Sequence, residues 1–188
     1  MIIANKLKDT NRAEFLLYMW QVEDICRAYD YDAERIVREY VSKFQLTPEA
    51  MKQTAIWYAD LCRMMLAEGI RLHGHLQICK NILQELEELN HQLIDSSHFP
   101  YYRQMYYKVL PYIVELRSKQ GHNKSETPSA SEPTEMEICF DALYGVMVLR
   151  LQKREVSTET QKAVGEISTF LGQLSDYYFK NKKEPLEF

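Results

Sequence analysis

Apolar side chains recur three and four residues apart along the middle of the chain, and this spacing limits the fold more than any other feature. The series consists of Met51, Ala55, Tyr58, Cys62, Met65, Gly69, Leu72, Leu76, Cys79, Leu83, Leu86 and Leu93. Residues with this heptad spacing lie along one side of a helix, which packs at a shallow angle against other helices. The stretch therefore predicts helices assembled into a bundle.

Two glycines, Gly69 and Gly74, interrupt this series. Each costs about 1 kcal/mol relative to alanine in a helix interior. The residues between them carry no strong turn signal. Residues 48–95 therefore form either one bent helix or two helices.

The rest of the chain also indicates helices. Asn11 and Glu14 have the spacing of a capping box before a helix over 11–29, and Thr134 and Glu137 have it again before a later helix. No segment shows the alternation of a strand, and six Gly and six Pro are few for the turns of an all-β fold. We expect an all-α bundle of six or seven helices.

Residues 121–133 differ in composition from their surroundings. They are polar and lack any large apolar side chain. Such a segment cannot offset the entropy of ordering, so we expect a flexible, disordered linker before the last two helices. The predicted organisation is a single domain over 1–188, with a C-terminal helical hairpin, 134–181, packed on residues 10–120.

The helix predicted over 138–151 is apolar on nearly every side. Its large apolar residues are Ile138, Cys139, Phe140, Leu143, Tyr144, Val146, Met147, Val148, Leu149 and Leu151. Such a helix lies at the centre of a bundle or in an interface between copies, because at the surface one apolar side would face water. The first hypothesis is thus a non-enzymatic interaction or scaffold protein that forms a homo-oligomer through this helix.

Charged residues on apolar faces suggest a second hypothesis. Glu23 falls beside the apolar stripe of the helix over 11–29, where a carboxyl group is either paired or functional. Arg27, four residues on, is the expected partner. Glu23, Asp24 and His75 are the candidates for a polar pocket, which would belong to a bundle enzyme or a small-ligand-binding protein.

One short motif has metal-ligand spacing. Glu88 and His91 form Glu-x-x-His, whose two side chains share a helix face in carboxylate-bridged di-metal bundles. Those sites need the motif again on another helix, and Asp95-Ser-Ser-His98 follows immediately in the chain. We expect no metal, and Glu88 and His91 are the alternative ligands. No cofactor is expected either, because Gly-rich phosphate loops are absent. Without a nucleophile elbow, nucleophilic catalysis has no support.

The charge balance and the apolar runs bear on partners and location. The net charge is −4 and the pI is about 5.8, and the small basic clusters around Lys153 and Lys180 lie near predicted helix C-termini, so no nucleic acid is expected. No run reaches the ~20 apolar residues of a membrane span, and the N-terminus lacks the apolar core of a signal peptide. The four cysteines follow no disulfide or metal pattern. These features indicate a cytoplasmic protein.

Four runs also resemble a known family. They are residues 16–24 (LLYMWQVED), 74–78 (GHLQI), 110–117 (LPYIVELR) and 139–145 (CFDALYG). Together they resemble a domain-of-unknown-function family of small helical proteins from Bacteroidetes. The resemblance covers most of the chain apart from the predicted linker. It implies a bacterial, cytoplasmic, all-helical protein, and it implies no activity and no site residue.

Overall fold

The computed structural model describes residues 2–121 and 132–188, and all the regular secondary structure in these ranges is helical. The helices are α1 (Ile2–Thr10), α2 (Arg12–Ala28), α3 (Ala33–Glu39), α4 (Pro48–Ala67), α5 (Gln77–Asp95), α6 (Pro100–Gly121), α7 (Glu135–Leu151) and α8 (Thr158–Lys183), with a short 3-10 turn at Val41–Lys43. The predicted all-α class is confirmed. The described ranges contain eight α-helices, one more than the upper expectation of seven, because α1 was not predicted.

Part of the predicted linker, residues 122–131, lies outside the described residues. The chain divides into two compact units, Met1–Ile82 and Leu83–Phe188, and the boundary falls within α5. We describe each unit separately. The single domain, with residues 134–181 packed on 10–120, stays a prediction.

The first unit is built around α2, which packs against α1, α3 and α4. The Asn11 side chain caps α2 by accepting a hydrogen bond from the Glu14 backbone N–H at 3.1 Å. This bond satisfies one of the N–H groups that a helix start leaves without an internal partner. The capped helix then buries a wide apolar face against its neighbours: Phe15, Leu16, Met19, Trp20, Val22 and Cys26.

Residues 48–95 form two helices and not one bent helix. α4 ends at Ala67 and α5 begins at Gln77, so residues 68–76 form a loop. Gly69 and Gly74 have φ angles of +71° and +91°, a left-handed conformation that glycine adopts without steric cost. The interruption also removes Leu72 from the predicted apolar series, because its side chain is 79% exposed.

The second unit contains α6, α7 and α8, each of which packs against the other two. The predicted capping box at the start of α7 is present, with Thr134 and Glu137 exchanging hydrogen bonds. Tyr102, Phe140 and Phe170 are among the largest fully buried side chains in this unit. The Tyr102 hydroxyl donates a hydrogen bond to Asn90 Oδ1 at 2.7 Å, so the polar group in the apolar series of α5 has a buried partner.

Candidate functional site

Glu23 is a fully buried acidic residue in the middle of α2. Its carboxyl group meets the end of the 68–76 loop. Oε1 accepts a hydrogen bond from the Leu76 backbone N–H at 3.0 Å, and Oε2 lies 2.7 Å from His75 Nδ1. The Cys79 thiol lies 3.6 Å from Oε1. Burial of a carboxyl group is tolerated here because its oxygens have hydrogen-bond partners.

His75 connects this buried group to the surface. Its side chain is 33% exposed, and its ring stacks on Trp20, with the ring centroids 4.0 Å apart and the planes at 14°. A hydrogen bond to one ring nitrogen sets the tautomer of an imidazole. Glu23 therefore favours the proton on Nδ1, and Nε2 is left as the nitrogen that can contact another group.

Arg27, on the same side of α2, and Tyr31, three residues after the end of this helix, also bind the loop. Arg27, four residues after Glu23, hydrogen-bonds the backbone oxygens of Ile70 and Gly74, and the Tyr31 hydroxyl donates to the oxygen of Arg71. Glu23, Arg27 and Tyr31, spaced four residues apart, thus satisfy backbone groups of the 68–76 loop. The geometry is that of a latch, which we call the α2 latch (Glu23, Arg27 and Tyr31).

Glu23 of the α2 latch and Glu68, at the C-terminal end of α4, both contact the N-terminus of α5. The Gln77 N–H donates a hydrogen bond to the Glu68 carboxyl group at 2.7 Å. The preceding N–H, that of Leu76, donates to Glu23. Two carboxyl groups therefore satisfy the first N–H groups of this helix, a position where acidic groups are stabilised by the helix dipole.

The structure brings together two of the three predicted pocket residues. Glu23 and His75 are in contact, whereas Asp24 is exposed and pairs with Arg27 at 2.9 Å. The expected Glu23–Arg27 pair is therefore wrong. Each of the two has another partner, because the loop presents His75 to Glu23 and Asp24 is the nearer acid for Arg27.

The predicted metal ligands lie elsewhere. Glu88 and His91 are both exposed on α5, and Glu88 accepts a hydrogen bond from Gln84 Nε2. In residues 2–121 and 132–188, no three His, Cys, Asp or Glu side chains are grouped so that they could hold a metal ion. The chemistry available at His75 is that of a single oriented imidazole. No hydroxyl or thiol of a described residue is hydrogen-bonded to it.

A second feature of interest is a cleft between α6, α7 and α8 in the second unit. Its volume is about 460 Å³. Its apolar walls are Leu116, Ala142, Val146, Leu149, Val164 and Ile167, and its charged edge is formed by Glu115, Lys119, Asp141 and Glu159. Gly145 lies in the α7 wall, and a Cβ atom at this position would meet nothing within 4 Å.

The apolar helix α7 is only partly covered by its own unit. Met136, Ile138, Cys139, Phe140, Leu143 and Val146 are buried. Towards the C-terminal end, Val148 and Leu149 are only half-buried, and Leu151 is 63% exposed. The buried N-terminal part of α7 thus fits the centre of a bundle, whereas the predicted interface between copies stays a prediction. Among the residues that the structure describes, no helix is long and apolar enough to cross a membrane.

Several residues of these sites were not identified from the sequence. Cys79 belongs to the predicted apolar series, Trp20 belongs to no predicted stripe, and Tyr31 follows the end of a predicted helix. No local pattern therefore marks them as contacts of Glu23, of His75 or of the loop. The small residues of α7, Ala142 and Gly145, are spaced three apart. That spacing is the one signal that could have located the cleft.

The comparisons with known proteins concern the chain as a whole. No curated protein and no solved structure gives a significant match. A family model described as a domain of unknown function (DUF4924) matches residues 1–185. The resemblance of the four sequence runs to a domain-of-unknown-function family is thereby confirmed, and the chain belongs to the DUF4924 family.

Proposed function

We propose that the protein is a non-enzymatic helical interaction protein and that its partner is a second copy of the same chain, bound through α7. The observation that carries the proposal is the α7 face formed by Asp141, Ala142, Gly145, Val148 and Leu149. All five residues are exposed or half-buried, and four of the five line the cleft.

The composition of this face favours association with another protein. Water in contact with apolar surface costs about 25 cal/mol per Å². Contiguous apolar patches with a charged edge are typical of protein–protein contact sites. Here the apolar wall of Ala142 and Leu149 lies next to the charged residues Asp141 and Glu159, which is the arrangement of an apolar interface centre with a polar rim.

A two-fold axis at Gly145 is the simplest geometry for such a contact. In a symmetric dimer the patch on one copy contacts the same patch on the other copy. With the two α7 helices crossing antiparallel at Gly145, Val148 of one copy faces Ala142 of the other. Gly145 has no side chain and open space beside it, so a second helix can approach closely. The α6 and α8 walls of the cleft would extend the contact towards the roughly 800 Å² per partner of a stable interface.

The polar pocket of the second hypothesis has less support. Asp24 is exposed and paired with Arg27, and the Glu23 carboxyl group is already engaged by Leu76 and His75. These contacts account for the buried acid as part of the α2 latch. A small-ligand or catalytic role at His75 would need a second polar group facing Nε2.

A reducing compartment such as the cytoplasm is part of the proposal. Cys26, Cys62, Cys79 and Cys139 are buried free thiols. Free thiols are usual in proteins of reducing compartments, whereas secreted proteins tend to pair them.

The test is the oligomeric state of Gly145→Arg. Because the Cβ of residue 145 has open space within its own chain, arginine leaves the unit folded but places a long charged side chain at the centre of the interface. We expect the wild type to sediment as a dimer at micromolar concentration and Gly145→Arg to sediment as a monomer with unchanged helical circular dichroism.

Gly165→Arg is the matched control. Gly165 is also an exposed glycine inside a helix with open space around it, and it lies outside the cleft. This variant should stay dimeric. A monomeric wild type, or a Gly145→Arg protein that dimerises as strongly as the control, would overturn the proposal.

A further inference from the structure

The first unit contains a separate cavity whose walls are mostly aromatic. It has a volume of about 260 Å³ and is formed by residues from α1, α2, α4 and the segment after α3. Its aromatic walls are Tyr18, Tyr40, Phe44, Trp57 and Tyr58. The rings brace one another: Tyr18 stacks with Trp57, while Tyr40 and Phe44, and Trp57 and Tyr58, meet edge to face.

All the residues that line this cavity are uncharged. Besides the aromatic residues they are Ile3, Val41, Leu46 and Thr54. A charged ligand would lose its hydration without gaining an opposite charge, which is costly in a partly enclosed apolar site. The lining therefore selects against anions. It also lacks the acidic residue that would assist the aromatic rings in holding a cation.

Three tyrosine hydroxyls in the walls are available for hydrogen bonding. Tyr18, Tyr40 and Tyr58 make no hydrogen bond through their hydroxyls to any residue within the described ranges. Tyr58 is 4% exposed as a whole residue, and it lines the cavity. A phenol that lines a cavity and has no hydrogen-bond partner among the described residues is a candidate ligand contact.

These phenols keep their protons at neutral pH. Burial raises the pKa of Tyr58, and the neighbouring Tyr18 and Tyr40 raise it further. Burial likewise raises the pKa of Tyr18, with an additional contribution from Tyr40. All three hydroxyls can therefore donate a hydrogen bond to a ligand.

We propose that this cavity binds a neutral aromatic molecule of one or two rings that carries a hydrogen-bond acceptor. The volume corresponds to about nine water molecules at roughly 30 Å³ each, which is the size of a small ring compound. Planar apolar ligands match aromatic walls, and a few polar groups then fix their orientation. Three of the lining side chains, Ile3, Phe44 and Leu46, are exposed, so the cavity is open to solvent on their side.

Three probes of similar size and different charge test this proposal on the full chain. Acetophenone is neutral and has a ketone acceptor, benzoate is an anion, and phenyltrimethylammonium is a cation. We expect acetophenone to bind in calorimetric titration and to give saturation-transfer signals, and we expect the two charged probes to bind at least about tenfold more weakly.

Variants locate the binding. Thr54→Trp should fill the cavity and abolish acetophenone binding. Tyr58→Phe keeps the wall but removes a hydroxyl, and losing one hydrogen bond weakens binding by about tenfold. Tyr18→Phe and Tyr40→Phe test the other two hydroxyls. Tyr107→Phe is the control, because Tyr107 is 58% exposed on α6 and lies outside the cavity.

Four outcomes would overturn the proposal. They are no binding of acetophenone to the wild type, equal binding to Thr54→Trp, tighter binding of either charged probe, and wild-type affinity in all three Tyr→Phe variants. Circular dichroism and thermal melting of each variant separate a blocked cavity from an unfolded chain. The cavity does not involve α7, so its occupancy and the proposed dimer are tested independently.

Discussion

Glu23 and His75 are 52 positions apart in the sequence, yet Glu23 Oε2 and His75 Nδ1 lie 2.7 Å apart, and Glu23 Oε1 accepts the N–H of the next residue, Leu76. One buried carboxyl group of α2 thus holds both the end of the loop and the first turn of α5. Because Leu76 is also fully buried, its N–H has no water to replace the carboxyl group.

Removing the Glu23 carboxyl group should therefore destabilise the first unit strongly. Glu23→Ala leaves the Leu76 N–H without its acceptor in a dry site, and we expect a loss of about 3 kcal/mol in the free energy of unfolding. Glu23→Gln retains one acceptor oxygen and should lose about 1 kcal/mol. Urea unfolding followed by circular dichroism measures both.

Asp24→Ala is the matched control for this prediction. Asp24 is the neighbouring acid on the same helix, but its side chain is 52% exposed and its ion pair with Arg27 is on the surface. Its removal should change the free energy of unfolding by less than about 0.5 kcal/mol. Equal losses in Asp24→Ala and Glu23→Ala would show that the buried contacts contribute nothing.

Local patterns predicted the helices well and their long-range contacts poorly. The caps at Asn11 and Thr134 were identified because a cap depends on residues three apart in sequence. The Glu23–Arg27 pair was expected from the same kind of local spacing, and it is wrong because the loop supplies His75 from a distant part of the sequence. The spacing of residues within α2 cannot predict a contact with a residue 52 positions away.

The missed helix α1 has a related explanation. Ile2–Thr10 is nine residues long, too short to be stable alone, and helices of this length depend on packing. Ala4 is 3% exposed, and α1 packs on α2. The contact that stabilises α1 is tertiary, so the sequence of the segment alone gives little sign of it.

Replacement by alanine should change the free energy of unfolding in opposite directions at a loop glycine, Gly74, and at a helix glycine, Gly165. Gly74 has a φ of +91°, where a Cβ is strained, so Gly74→Ala should lower the free energy of unfolding by about 1–2 kcal/mol. Gly165 lies inside α8 with open space around it, so Gly165→Ala should raise it by up to about 1 kcal/mol. Chemical unfolding of the two variants and the wild type measures the sign of each change in the free energy of unfolding. A stabilising Gly74→Ala would contradict the left-handed backbone conformation at Gly74.

The four cysteines should differ in reactivity. The thiolate is the reactive form. A hydrogen bond from the Cys26 thiol lowers the pKa of Cys62, whereas that same contact, together with burial, raises the pKa of Cys26. Burial is the larger cause that raises the pKa of Cys139 to about 12, and the nearby Glu135 carboxylate contributes the rest. We expect iodoacetamide to alkylate Cys62 first at mildly alkaline pH, as mapped by peptide mass spectrometry.

Substitution of the hydrogen-bond donor provides the control for this order. Cys26→Ala removes the thiol that stabilises the Cys62 thiolate, so alkylation of Cys62 should slow. Cys139→Ala belongs to the second unit and should leave the Cys62 rate unchanged. Equal Cys62 rates in all three proteins would argue against the hydrogen bond.

Asn90 and Tyr102 form a buried polar contact in the second unit, with exposed fractions of 2% and 0%. Tyr102→Phe leaves Asn90 Oδ1 without its donor, and we expect a loss of about 1–3 kcal/mol in the free energy of unfolding. Tyr101→Phe, at a neighbouring tyrosine that is 64% exposed, should be nearly neutral. Asn90→Leu is also expected to destabilise, because the Tyr102 hydroxyl then has no acceptor.

The double variant Asn90→Leu/Tyr102→Phe separates the hydrogen bond from packing. It replaces both polar groups with apolar ones, which can be nearly neutral when the shapes are similar. Its loss in the free energy of unfolding should therefore be smaller than the sum of the two single losses by about 1 kcal/mol or more. Strict additivity in urea unfolding would mean that the two side chains are not coupled. Asn90 would then be a polar interruption of the apolar series, without a compensating partner.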